Sequence, residues 1–151
     1  MITNPHEQLI DEATLSETVS FVWQTFVGTD ICEGGQADFA TPHSAAISIG
    51  GPWTATIIVS IGEDLVRRYA AGLFDMEIDE LTADDIRDAL GELVNVVGGN
   101  IKGLLDDDGH STLSLPIVSG PAPLVAGSHL TIDSWFVADG LPMRWEIHER
   151  A

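Results

Sequence analysis

Across residues 6–27, Leu9, Ala13, Val19, Val22, Trp23 and Phe26 recur at helical spacing, and Gly28 stands where such a helix ends. The period then shortens. Residues 44–49 and 53–61 are apolar runs rich in β-branched side chains, and Gly50-Gly51-Pro52 between them reads as the turn of a hairpin. Residues 30–40 show no firm period; a short strand around Gly34-Gly35 is expected. A second helix is predicted over 63–74. It opens on Glu63-Asp64 and carries Leu65, Val66, Tyr69, Ala70 and Phe74. A polar link over 75–81 leads to a long helix over 83–105. Three strands follow near 111–119, 128–138 and 142–149, divided by Gly120-Pro121-Ala122-Pro123 and by Asp139-Gly140. Each half of the chain thus runs as a helix and then three strands. Helices packed on a mainly antiparallel β-sheet make this an α+β fold, and no linker divides residues 1–151, so a single domain is expected.

Composition narrows the setting. Hydrophobic residues reach 44 %, enough to build a core of globular type. No run of eighteen apolar residues occurs, so no transmembrane helix is expected. Residues 1–7 lack a basic segment followed by an apolar one, so no secretory signal is expected. Cys32 is the one cysteine, which leaves no disulfide framework and no thiolate metal cluster. Together these point to the cytoplasm. The formal net charge is −18 and Lys102 is the one lysine. Such a surface repels phosphate backbones and anionic membranes, so neither nucleic acid nor membrane is an expected partner. His6, His43, His110, His129 and His148 are scattered without metal-ligand spacing and are expected to be structural or exposed. There is no nucleophile elbow, no P-loop and no nucleotide fingerprint, which disfavours a conventional hydrolase.

The candidate chemistry lies on the long helix. Thr82 is placed to cap it, with Asp85 reaching back in a box-like arrangement. At about 100° per residue, Ile86, Leu90, Leu93, Val97 and Leu104 fall on one stripe, the expected core face. Asp88, Glu92, Asn95, Gly99 and Lys102 line up on the opposite side. Periodicity alone leaves two readings of that line: an ordinary solvated surface, or a face that meets a partner. Asn95 and Gly99 favour the second, because both are poor helix formers with nothing to gain from the core. Asn100 lies nearer the core side and is expected to be a buried, structural amide.

The segment from Asp88 to Lys102 resembles the signature helix of the CheX/CheC/FliY phosphatase family, which runs Asp or Ser, three residues, Glu, two residues, Asn, and a proline farther on. Asp88, Glu92 and Asn95 match in type and spacing. Pro116 resembles the proline, and twenty residues separate it from Asn95, slightly fewer than the family pattern has. Gly50–Ile57 is similar to the family's first hairpin, 62–74 to the helix after it, and Trp23–Gly28 to the end of its first helix, so the likeness covers about 20–150. In the first helix Glu17-Thr18-Val19-Ser20 lacks the asparagine, which makes the chain similar to the single-site CheX type.

The resemblance implies a phosphatase acting on the phospho-aspartate of a CheY-like response-regulator receiver domain. Asn95 would position the attacking water, and Glu92 would pair with a lysine of the receiver. Asp88, Gly99 and Lys102 would widen the contact. Any Mg²⁺ would belong to the receiver, with no cofactor on this chain. A homodimer joined through edge strands is also implied. The runner-up is a non-catalytic receiver-binding or scaffold module of the same fold.

Overall fold

The elements form where the sequence supplies both periodicity and caps. The structure is a computed structural model that describes residues 10–105 and 109–150. Helix α1 is Glu12–Phe26, and Asp11 caps it by accepting a hydrogen bond from the Thr14 amide at 2.8 Å. The same bonds from Thr14, backbone first and hydroxyl second, hold the Asp11 carboxyl below its ordinary range. The expected start of this helix at residues 6–9 lies outside the described residues. Leu15, not Ala13, carries the core contact of its first turns.

Strands β1 (Ile31–Glu33), β2 (Pro42–Gly50) and β3 (Ala55–Gly62) follow. β1 ends just before the glycines where a strand was expected, although the Gly34 amide still donates to the Trp135 carbonyl at 2.9 Å. Helix α2 spans Glu63–Phe74, and the polar link after it holds a 3-10 turn at Ile78–Glu80. Helix α3 spans Ala83–Leu104. Both halves of its capping box are present, Asp85 N–H to Thr82 Oγ1 at 3.1 Å and Thr82 N–H to Asp85 Oδ2 at 2.9 Å.

The strand expected over 111–119 is two short strands, β4 (Thr112–Leu113) and β5 (Ile117–Ser119). Pro116 has no N–H to give to the ladder, so pairing with β2 breaks there and resumes beyond it. β6 (Ser128–Ala138) and β7 (Leu141–Arg150) form a long hairpin. Its turn residues Asp139 and Gly140 both have positive φ, 51° and 76°, the geometry that matches the twist of the two strands.

All of these strands join one antiparallel sheet in the order β1-β6-β7-β3-β2-β4, with β5 also on β2. The repeat shows in space, with β4 and β5 standing where the second half was expected to have one strand. Each half supplies a central hairpin; β1 lies on the outer edge of the second half's hairpin, and β4 and β5 lie on the outer edge of the first half's. The three helices cover one face of the sheet. Between them and the sheet sit Leu15, Trp23, Ile47, Tyr69, Leu90, Leu93 and Trp145, all essentially without solvent contact. Trp23 stacks on Tyr69 at 5.6 Å between ring centres, tying α1 to α2.

Candidate functional site

Helix α3 packs on β2, β3 and both other helices, which fixes the direction of every side chain along it. Ile86, Leu90, Leu93 and Val97 are buried, as the stripe predicts, and Ala89, Val94 and Ile101 join them. Asp88 and Glu92 are exposed and Asn95 is half-buried. Glu92 and Asn95 are three residues apart, so their Cα atoms differ by about 4.5 Å along the axis and share one face.

The opposite wall comes from the break in the edge strand. Pro116 and Val118 lie over Gly91, which is buried; a Cβ there would meet Pro116 Cγ at 3.6 Å and Val118 Cγ2 at 3.7 Å. A larger side chain at 91 would push that wall away. The result is an open trough of about 570 Å³ lined by Arg87, Asp88, Gly91, Glu92, Asn95, Leu115, Pro116 and Val118. The signature acid, the amide and the proline, distant in sequence, thus meet in one place. Nothing in the sequence pattern along the helix singles out Gly91, Arg87, Leu115 or Val118. Only Leu115 had a signal, its place next to Pro116.

The polar groups of the trough are uncommitted. Among the described residues, the side chains of Arg87, Asp88, Glu92 and Asn95 make no hydrogen bond or ion pair with one another or with a neighbour. The negative charge of Glu92 is nonetheless felt inward. Burial pushes the Tyr69 phenol well above its ordinary range, and the Glu92 carboxylate adds to that shift. A carboxylate, an amide with both donor and acceptor, and a guanidinium thus stand open to a ligand along one groove.

The remaining predicted residues are placed elsewhere. Gly99 is exposed and Lys102 half-exposed, farther along α3 and outside the trough. Gly99 has open space where a Cβ would stand. Asn100 is not the buried amide expected. It is exposed, and its Nδ2 donates to the Val96 carbonyl one turn back at 2.7 Å. Leu104, assigned to the core stripe, is 45 % exposed. Both corrections have one cause. Toward its C-terminus the helix buries Leu93, Val97, Ile101 and, at the C-cap, Leu105, and this row of every fourth residue turns by about 40° per step. That drift carries Asn100 and Leu104 out toward α1, where they border Thr14, Glu17, Thr18 and Phe21. On α1, Ser20 stands three residues after Glu17, where α3 has the asparagine.

The family profile described as "Chemotaxis phosphatase CheX" matches residues 43–129, a span that contains the whole trough. The chain belongs to the CheX family. CheX from Vibrio vulnificus is similar over 98 % of this chain and 100 % of its own, with a TM-score of 0.75 and 15 % identity. A CheC-like superfamily protein from Shewanella sp. PV-4 is similar over 99 % and 100 %, with a TM-score of 0.73 and 20 % identity. A CheX–CheY–BeF3–Mg²⁺ complex from Borrelia burgdorferi is similar over 94 % and 99 %, with a TM-score of 0.71 and 17 % identity. At these identities the likeness is one of fold. No curated protein sequence matches the chain. No helix among the described residues is long and apolar enough to cross a membrane.

Proposed function

We propose that this CheX-family chain removes the phosphoryl group from the phospho-aspartate of a CheY-like receiver domain. The observation that carries the reading is the trough: Glu92 and Asn95 stand together, uncommitted, across from Pro116. Membership in a family of chemotaxis phosphatases supports it, and so does a relative crystallised with CheY, BeF3 and Mg²⁺.

The chemistry asks little covalent help of the protein. Phosphoryl transfer to water is governed by positioning and by charge stabilisation. The Asn95 carbonyl accepts a hydrogen bond from the attacking water and holds its oxygen in line with phosphorus. The bond from phosphorus to the aspartate oxygen breaks, aspartate leaves as its carboxylate, and the water's proton passes to phosphate or solvent. Glu92, one turn away, pairs with the receiver's active-site lysine and fixes the register of the two proteins. Asp88 extends that contact, and Gly99 and Lys102 continue it along the helix beyond the trough. Mg²⁺ resides on the receiver and the chain brings no cofactor of its own. The reaction belongs to the cytoplasm, where receivers are phosphorylated.

The test is phosphate release from CheY-type receivers of the same genome, charged with acetyl phosphate. The protein is expected to accelerate release above the receiver's own decay for at least one of them. Decay at the intrinsic rate in every receiver that binds would sink the phosphatase and leave a binding module.

A further inference from the structure

A singly exposed leucine is ordinary on any protein surface. Leu115 differs because it is both displayed and fixed. Its residue is 86 % exposed, at the lip of the trough opposite the Glu92 and Asn95 wall. The backbone on its N-terminal side is clamped to β2. The Ser114 amide donates to the Ser48 carbonyl at 2.9 Å, and the Ser48 amide donates to Ser114 Oγ at 2.9 Å. Ser114 Oγ then donates to the Leu115 carbonyl itself at 3.1 Å. On the C-terminal side Pro116 restricts Leu115 to extended backbone, and Pro116 in turn is seated over Gly91. With the backbone already held, covering the side chain costs only its own rotamer freedom, which suits an interface anchor.

Charge says why an anchor is needed. A chain of net charge −18 does not draw an aspartyl phosphate and its surrounding carboxylates from a distance. Among the described residues, Arg87 is the one cation lining the trough. Contact at short range, at the lip as well as at Glu92, must therefore supply what long-range attraction does not.

Resting on the phosphatase reading above, we propose that Leu115 is the apolar anchor of this interface, buried on docking against a non-polar patch beside the receiver's phosphorylation site. The Leu115 contact adds to the affinity supplied by the Glu92 ion pair and takes no part in the reaction, which Asn95 serves from across the groove on α3.

The experiment measures Kd for a beryllofluoride-loaded CheY-type receiver and steady-state phosphate release, for wild type, Leu115→Ser and Ile117→Ser. Leu115→Ser is expected to raise Kd and KM at least tenfold with kcat and thermal melting unchanged. Ile117 is 68 % exposed on the same edge but does not line the trough, so Ile117→Ser should match wild type within about twofold. Unchanged affinity in Leu115→Ser, with wild-type turnover intact, would overturn the anchor and leave the phosphatase standing. Equal losses in both variants would overturn it too, by removing its specificity. If Leu115→Ser alters the protein's own mass in light scattering but not its affinity, the residue is a contact between copies and the proposal fails. A wild type that binds no phosphorylated receiver overturns anchor and phosphatase together.

Discussion

Two adjacent glycines of α3 face different surroundings. Gly98 is buried, and a Cβ there would come within 2.9 Å of Ile47 Cγ2 and 3.3 Å of Leu113 Cδ1. Ile47 is β-branched and lies in the central part of β2, so its methyl cannot swing aside freely. The helix therefore lies close to the sheet only because residue 98 has no side chain. Gly99 has nothing within 4 Å of the same position. Overpacking costs about 1–3 kcal/mol, and replacing glycine by alanine in a helix recovers about 1 kcal/mol. Gly98→Ala is thus expected to lose roughly 1 kcal/mol net, while Gly99→Ala gains about 1 kcal/mol. Urea titrations of the three proteins should give the order Gly99→Ala, wild type, Gly98→Ala. Gly99→Ala should at the same time weaken receiver binding, because we assign Gly99 to the face that a partner approaches. A more stable Gly99→Ala with undiminished affinity would remove it from that face.

At the level of elements, the part of the site that lies on one helix was legible, whereas of the part assembled across elements only Pro116 was, through the family pattern. Periodicity along α3 put Asp88, Glu92 and Asn95 on one side, and the Thr82–Asp85 box marked where the helix begins. These are local features, set by residues within a turn or two of one another. The wall facing them depends on Ser48 clamping Ser114 and on Pro116 interrupting the ladder to β2. Those contacts join residues far apart in the chain, so within the strand expected over 111–119 only Pro116 hinted at the break and at Leu115 beside it. Asn100 and Leu104 lie off the expected face because the buried stripe does not keep a fixed angle along the helix. A helix that keeps a four-residue burial spacing rotates its core face as it runs, and the last turns are where the rotation has accumulated. The hairpins were easier. Gly50-Gly51-Pro52 and Asp139-Gly140 determine turn geometry directly, and the strands beside them alternate or fill as their neighbours require.

For the molecule as a whole, the interlocked halves leave β1 at one edge of the sheet and the β4–β5 edge at the other. The CheX resemblance implies a homodimer joined through such edges, and we carry that forward as a prediction. Light scattering at micromolar concentration should give about twice the 16.2 kDa chain mass; a value near the chain mass would exclude a stable dimer there. The central claim is narrower and concerns a division of labour on α3. Asn95 is assigned to the water, which is met only on the way to the transition state, whereas Glu92 is assigned to docking. An interaction made only in the transition state changes turnover without changing the bound ground state. The most direct measurement pairs the rate of phosphate release with Kd for the beryllofluoride-loaded receiver, in Asn95→Ala and in Glu92→Ala. Asn95→Ala should lose about a hundredfold in rate, the usual scale for a removed positioning group, with affinity close to wild type. Glu92→Ala should lose affinity as well, by about 2–5 kcal/mol, because the receiver lysine is left unpaired at the interface. An Asn95→Ala protein that releases phosphate at the wild-type rate would contradict the account.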